Sequence, residues 1–203
     1  LLLRERLEDD RTGLVLGDRS WTWREHLAEA SAEAAALVAT VDPDRPVHVG
    51  TLLDNGPEML RAMAGAGLAG YVLCGINTTR RGESLAADVR RADCQVLLTD
   101  RAHLPLVEGL DLGGARVVDV DSEEWADEVA AAGPLTPHRE VGAMDTLMMI
   151  FTSGTSGDPK AVQVPHILPL FSGLDLVGRF SLGSDDVCYL AKPLFHSNAV
   201  AAG

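Results

Sequence analysis

A run of glycines and hydroxyls that ends in a lysine carries groups able to hold a chain of phosphates. Its sequence is Met149-Ile150-Phe151-Thr152-Ser153-Gly154-Thr155-Ser156-Gly157-Asp158-Pro159-Lys160. The glycines allow tight turns that point backbone N–H donors inward, and the hydroxyls add further donors. Lys160 supplies a positive charge. The pattern therefore predicts a phosphate-binding loop made of Thr152, Ser153, Gly154, Thr155, Ser156, Gly157 and Lys160.

This loop differs from the common phosphate loop of NTPases at two positions. That loop places a glycine before its lysine and a magnesium-binding hydroxyl after it. Here Pro159 precedes Lys160 and Ala161 follows it. The NTPase interpretation therefore fails. From the residues alone, the remaining alternative is a Gly/Ser surface turn between two strands.

The sequence predicts alternating strands and helices, which form the scaffold that positions this loop. The predicted strands are 14–16, 20–23, 47–53, 71–74, 95–99, 116–120, 146–152, 161–164 and 187–191. The predicted helices are 24–40, one opened by the Asn-Gly-Pro at 55–57, 82–92, one from about 100, 122–132 and 165–180. Such alternation predicts an α/β fold with a mainly parallel sheet covered on both faces.

A break in the pattern lies at 133–138, where two prolines and a glycine suspend all periodicity. It predicts a boundary between about residues 133 and 145. The first α/β subdomain would then be 1–133. Residues 145–203 would be the first part of a second subdomain, and they carry the predicted phosphate-binding loop.

Composition excludes some classes of function. The chain has 203 residues, is 46% hydrophobic and carries a net charge of −13, which fits a globular fold and argues against nucleic acid as a partner. An acidic run fits a solvated helix start better than a metal site, because carboxylates favour the first turn of a helix. Its members are Asp119, Asp121, Glu123, Glu124, Asp127 and Glu128. No metal site is predicted in this chain.

Other features predict a protein of a reducing compartment without a membrane span. Cys74, Cys94 and Cys188 are widely spaced and odd in number, so they are interpreted as core residues and not as disulfides. The first residues do not resemble a signal peptide. The uncharged span 62–79 is too rich in glycine for a transmembrane helix.

The loop and four further segments resemble the adenylate-forming superfamily, which includes acyl-CoA synthetases, adenylation domains of peptide synthetases and luciferase-like enzymes. Thr-Ser-Gly-Thr-Ser-Gly-Asp-Pro-Lys at 152–160 is similar to that family's phosphate-binding loop. The other segments are 21–27, 51–58, 75–85 and 193–199, which occur in the family's order. The resemblance covers nearly the whole chain. It implies the N-terminal part of the family's large domain, with a truncated second sheet.

The resemblance also implies a reaction and its participants. A fatty or related carboxylic acid would react with ATP to give an acyl-adenylate and pyrophosphate, and coenzyme A would then displace AMP, with Mg²⁺ assisting at the phosphates. Phe195-His196 and Pro159-Lys160-Ala161 resemble the acyl-CoA synthetases of this family. The implied catalytic residues are Lys160 and His196. The implied acyl-site residues are Phe195, His196 and Asn198.

The resemblance is to only part of such an enzyme. The magnesium-binding Glu, the ribose-binding Asp and the C-terminal catalytic Lys of the family have no counterpart among residues 1–203, so this chain alone is expected to be inactive. Two alternatives stay open: an adenylation domain of the peptide-synthetase type, and an inactive nucleotide-binding remnant. The small-molecule partners are the acid, ATP and CoA. A cytoplasmic location is expected, with membrane association and a homodimer left open.

Several other residues are interpreted as structural. Trp21, Trp23 and Trp125 are predicted to pack and not to stack on a ligand. The pairs Arg80-Arg81 and Arg90-Arg91 alternate with acids, which favours an ion-paired helix face over a CoA patch. His166 is predicted to lie at a helix start, and the remaining histidines give no functional signal.

Overall fold

The computed structural model describes residues 2–152 and 160–196 and confirms the α/β class. Its strands are Thr12–Leu16 (β1), Arg19–Thr22 (β2), His48–Leu52 (β3), Val72–Gly75 (β4), Val96–Thr99 (β5), Arg116–Asp119 (β6), Thr146–Thr152 (β7) and Lys160–Pro165 (β8). Its α-helices are Trp23–Thr40 (α1), Pro57–Ala69 (α2), Gly82–Arg91 (α3), Glu123–Ala131 (α4) and Ile167–Phe180 (α5). Short 3-10 helices lie at Arg4–Arg6 and Leu104–Leu106.

The main sheet of the described residues has the strand order β6-β5-β3-β4-β7-β8. The strands from β6 to β7 are all parallel, and β8 pairs antiparallel with β7. β1 and β2 form a separate antiparallel hairpin. The predicted mainly parallel sheet is therefore confirmed, and β8 is the returning strand predicted to follow the glycine-rich segment.

The interior strands are rich in apolar residues because helices cover both faces of the sheet. Residues of α1, α2 and α4 share one core cluster with Val49, Leu73 and Ile150. Residues of α3 share the other with Cys74 and Leu97. Neighbouring residues of a strand point to opposite faces, so both must be apolar in an interior strand.

Two helices begin at the capping residues that the sequence supplies. The Glu25 main-chain N–H donates to Thr22 Oγ1 at 3.1 Å, and Glu25 Oε2 accepts from the Thr22 N–H at 2.8 Å. Ser122 Oγ accepts from the Trp125 N–H at 3.1 Å at the start of α4. These contacts satisfy N–H groups that lack partners in the first turn. Of the acidic run, Glu123 and Glu124 lie in the first turn of α4, as predicted, while Asp119 is the last residue of β6.

Two predicted elements are wrong. The helix predicted from Asp100 is only a turn followed by the 3-10 helix, because Asp100 Oδ1 accepts from the His103 N–H at 2.8 Å and Pro105 has no N–H to continue an α-helix. Residues 187–191 form no strand, and Val187 and Tyr189 are 86% and 90% exposed. A strand needs a neighbour for its hydrogen bonds, and the described residues place none beside this segment.

The cysteine interpretation is partly wrong. Cys74 and Cys94 are buried in the same core cluster, as expected. Cys188 is exposed, since it lies in the segment 187–191 that does not join the sheet. The prediction failed here because the apolar pattern around Cys188 suggested a buried strand.

The connection at the predicted subdomain boundary crosses the end of α2. The His138 N–H donates to the Ala69 carbonyl at 2.8 Å, and Arg139 Nε donates to the Gly70 carbonyl at 3.1 Å. Arg139 also pairs with Asp145 at 2.7 Å. The sheet continues across this connection through the β4–β7 pairing. The division at 133–145 remains a prediction.

No helix in the described ranges is long and apolar enough to cross a membrane. The span 62–79 forms most of α2, a turn and the strand β4, as the sequence predicts. The glycines of this span allow close packing; Gly65, for example, lies where a Cβ would be 2.4 Å from the Tyr71 hydroxyl oxygen.

His26 on α1 gives a prediction on pH dependence. Burial, and secondarily the charge of Arg61, lower the pKa of His26 below its usual value. His26 therefore binds a proton less readily in the folded protein than in the unfolded chain, which takes up a proton near the ordinary value of about 6.5. The stability that this group contributes is present above that value and is lost as pH falls through it.

We therefore expect the free energy of unfolding to fall less steeply between pH 7.5 and 5.5 in a His26→Gln variant than in the wild type. Urea denaturation of the intact protein at several pH values measures this slope. His138→Gln, which changes a histidine on the connection before β7, serves as the control. Equal slopes for His26→Gln and the wild type would contradict the prediction.

Candidate functional site

The ends of the predicted phosphate-binding loop meet at the carboxyl edge of the sheet. Thr152 is the last residue of β7, Lys160 is the first of β8, and the two are Cα partners in the antiparallel ladder. Residues 153–159 lie outside the described residues, so the structure tests no predicted contact of this loop. The roles of Thr152, Ser153, Gly154, Thr155, Ser156, Gly157 and Lys160 remain predictions.

The strand that leads into the loop is held firmly in the core. Met148 and Ile150 of β7 are fully buried, and β7 lies between β4 and β8. A loop that leaves such a strand has a fixed starting point, and ligands of α/β sheets bind beyond the carboxyl ends of the strands. The fold thus places the two ends of the loop, Thr152 and Lys160, where a ligand site is expected.

The predicted acyl-site segment lies at the same edge. Leu194 and Phe195 are buried, while His196 is exposed and its N–H donates to the Pro193 carbonyl at 3.0 Å. The Phe195 and His196 rings lie 4.6 Å apart between centroids. Phe195 packs over Gly75, the last residue of β4. Asn198 lies outside the described residues, and the roles of all three site residues remain predictions.

The segment is tied to the sheet by Asn55, which the sequence predicts only as part of a helix start. Asn55 Nδ2 donates to the Lys192 carbonyl at 2.8 Å, and the Leu194 N–H donates to Asn55 Oδ1 at 2.8 Å. Asn55 follows β3, which neighbours β4. The contact joins residues 139 positions apart, so the sequence around Asn55 carries no signal for it.

An open cavity of about 490 Å³ lies at the carboxyl ends of β3, β5 and β6. Its lining includes Asp54, Glu58, Asp100 and Asp121, with Arg101 as the basic residue among the lining groups. Such an acidic lining is unfavourable for phosphate. The described part of the chain has no group of three His, Cys, Asp or Glu side chains able to hold a metal ion.

The residues interpreted as structural take structural positions. Trp21 and Trp125 are buried, and Trp23 packs against Gly13. Arg80 forms two hydrogen bonds to the buried Asp88, at 2.8 and 3.2 Å, and Arg90 pairs with Glu83. The ion-paired helix face is confirmed.

His166 occupies the position before α5, where its N–H donates to the Asp145 carbonyl at 3.0 Å. Burial, and secondarily the charge of Arg139, lower the pKa of its imidazole. The predicted place of His166 at a helix start is confirmed.

The amino-acid sequence is similar to those of known enzymes. A model of the AMP-binding enzyme family matches residues 4–203. The medium/long-chain-fatty-acid–CoA ligase FadD17 of Mycobacterium tuberculosis is 45% identical over 96% of this chain and 38% of its own length. The steroid-22-oyl-CoA synthetase of Rhodococcus jostii is 38% identical over 99% of this chain and 37% of its own length.

A peptide synthetase also matches, with lower identity. A linear gramicidin synthase of Brevibacillus parabrevis is 30% identical over 85% of this chain and 2% of its own length. The two CoA ligases above are more similar to this chain, at 45% and 38% identity. The chain spans less than two fifths of the length of the ligases above.

Solved structures share the fold. ATP-bound MatB of Rhodopseudomonas palustris superposes with a TM-score of 0.81 at 23% identity, over 98% of this chain and 42% of that one. O-succinylbenzoate coenzyme A synthetase (MenE) of Bacillus subtilis, in complex with AMP, gives 0.80 at 25% identity, over 98% of this chain and 51% of that one. The α/β arrangement is therefore that of the first part of such enzymes.

Proposed function

Because the chain belongs to the AMP-binding enzyme family, we propose that the intact protein is an AMP-forming fatty acyl-CoA ligase to which this chain contributes the phosphate-binding loop and part of the acyl site. One observation carries the proposal. The ends of the loop, at Thr152 and Lys160, and the Phe195–His196 segment lie at the carboxyl ends of neighbouring strands. A carboxylate held beside Phe195 would therefore face a phosphate chain held by the loop.

The reaction has two displacement steps. A carboxylate oxygen of the acid attacks the α-phosphorus of ATP, and the bond to pyrophosphate breaks to give the acyl-adenylate. The sulfur of CoA then attacks the acyl carbon, AMP leaves, and the thiol proton passes to solvent. In the first step two anions approach each other while charge builds on the leaving pyrophosphate, so charge compensation determines the rate.

Residues of this chain would supply that compensation. We assign the N–H and hydroxyl donors of 152–157 and the Lys160 ammonium to the β- and γ-phosphates. A single well-placed donor contributes about 3–4 kcal/mol to a transition state of this kind. Mg²⁺ that arrives with ATP would supply further positive charge at the phosphates. We assign no residue of this chain as its ligand.

The acyl site would be formed in part by Phe195, His196 and Asn198. The buried Phe195 offers an apolar wall, and the exposed His196 offers a polar ring at 4.6 Å from it. Such a pairing suits a substrate with an apolar chain and a carboxylate end. Medium- and long-chain fatty acids are the proposed substrates, with ATP and CoA, and a cytoplasmic location would give access to both cosubstrates.

Pyrophosphate exchange tests this proposal. We expect the intact protein to catalyse acid-dependent exchange between ATP and labelled pyrophosphate with fatty acids, and to form acyl-CoA and AMP when CoA is added. Methyl esters of the same acids should give no exchange because they lack the attacking oxygen anion. Exchange with amino acids alone would favour a peptide-synthetase domain. No exchange with any acid by a folded protein would favour an inactive nucleotide-binding remnant.

A further inference from the structure

We propose that Asn55 and Gly75, two residues outside the acyl-site segment, position that segment and thereby set the affinity for the acid. The inference rests on the proposed function, since it assigns Phe195 and His196 to the acyl site. Asn55 and Gly75 would act as positioning residues and would not themselves touch the substrate. They belong to the loop after β3 and to the end of β4, which are neighbouring strands.

Asn55 holds the segment through both functional groups of its amide. Its Nδ2 donates to the Lys192 carbonyl and its Oδ1 accepts from the Leu194 N–H, each at 2.8 Å. Both partners are main-chain groups just before Phe195. A side chain that bonds to two main-chain groups two residues apart fixes both the distance and the direction of the segment.

The loop that carries Asn55 is held by contacts other than those to the acyl-site segment. Leu53 on one side is 3% exposed, and Pro57 on the other opens α2 and is buried. The neighbouring Asp54 accepts a hydrogen bond from Thr78 Oγ1 at 3.2 Å, which joins this loop to the residues after β4. The main chain that carries Asn55 is therefore held by buried neighbours on both sides.

Gly75 provides the surface on which the segment rests. A Cβ at this position would lie 3.1 Å from both Cα and Cβ of Phe195 and 2.9 Å from Cε of Met148. The backbone of Gly75 is not in the left-handed region, so its conformation does not demand glycine. The close approach of Phe195 is the reason a side chain is not accommodated here.

Asn55 and Gly75 contact neighbouring positions of the same short segment. Asn55 holds the main chain at 192–194, and Gly75 sets how closely Phe195 approaches β4. Asn55 and Lys192 are exposed, so water can replace the amide at the Lys192 carbonyl, whereas the N–H of the buried Leu194 loses this partner. Loss of the amide should therefore release the segment without unfolding the protein.

Steady-state kinetics of the intact protein test the role of Asn55. We expect Asn55→Ala to raise KM for the fatty acid about tenfold, the effect of losing two hydrogen bonds of ordinary strength, with KM for ATP and the melting temperature close to wild type. Asn55→Asp keeps the acceptor for Leu194 but loses the donor to Lys192, so its KM for the fatty acid should also lie above that of the wild type. Asn77→Ala is the matched control, because among residues 2–152 and 160–196 the Asn77 side chain bonds to the nearby Thr79 and not to the acyl-site segment.

A double-mutant cycle tests whether both residues act through the same segment. Gly75→Ala should also raise KM for the acid and spare KM for ATP. If each change displaces the segment, the double variant should raise KM by less than the product of the single effects. Equal effects on acid and ATP, strict multiplicativity, or a KM for the acid unchanged in Asn55→Ala would each overturn the inference. A wild-type protein without exchange activity would instead refute the proposed function.

Discussion

Replacement of Lys160 by alanine in the intact protein is expected to lower the rate of adenylate formation by about 100- to 1000-fold. The proposed site places the Lys160 ammonium beside the pyrophosphate that leaves ATP. Alanine removes that charge where negative charge develops, and the remaining donors of 152–157 cannot replace it. The initial rate of acid-dependent pyrophosphate exchange measures the loss.

The same substitution should leave the fold intact. Lys160 begins β8, whose main-chain hydrogen bonds to β7 are unaffected by a change of side chain. Lys192 provides a matched control, because the chain has only these two lysines and Lys192 is exposed beside the acyl-site segment. Lys192→Ala should retain wild-type exchange. Near-normal exchange by a well-folded Lys160→Ala variant would refute the assignment of Lys160 to the phosphates.

The sequence predicts the buried strands of this fold because segments buried on both faces are rich in apolar residues. β3 and β5 lie inside a parallel sheet with helices on both faces, so almost every position is buried, and three of the four residues of β5 are apolar. The strand, glycine loop and returning strand of 146–165 could be predicted for a related reason. The apolar runs end where the glycines begin, and they resume directly after Lys160.

The sequence does not predict what depends on distant partners. The stretch 187–191 has a strand-like composition, but a strand forms only where a neighbour accepts its hydrogen bonds. The helix predicted from Asp100 failed because a side-chain bond to His103 and the position of Pro105 favour a turn. The contact between Asn55 and Leu194 spans 139 residues of chain, and no local pattern encodes it. The site residues therefore stay predictions from the sequence, whereas supports such as Asn55 become visible only in the fold.

Ile150→Ala is expected to lower the free energy of unfolding of the intact protein by about 2–5 kcal/mol. Ile150 is 0% exposed and belongs to the core cluster that α1 and α2 cover. Its Cα partners are Gly75 on β4 and Val162 on β8. Because Gly75 has no side chain and the neighbouring strands are fixed, the space left by the removed methyl groups should not be refilled.

Val162→Ala is the matched control, since Val162 is the cross-strand partner of Ile150 and is 43% exposed. It should cost less than about 1 kcal/mol. Urea denaturation of both variants and the wild type measures the difference. Ile150 lies two residues before the end of β7, so its burial fixes the start of the phosphate-binding loop. If both substitutions cost equally little, β7 is not an interior strand of the intact protein, and the loop cannot have the fixed origin from which its function is argued.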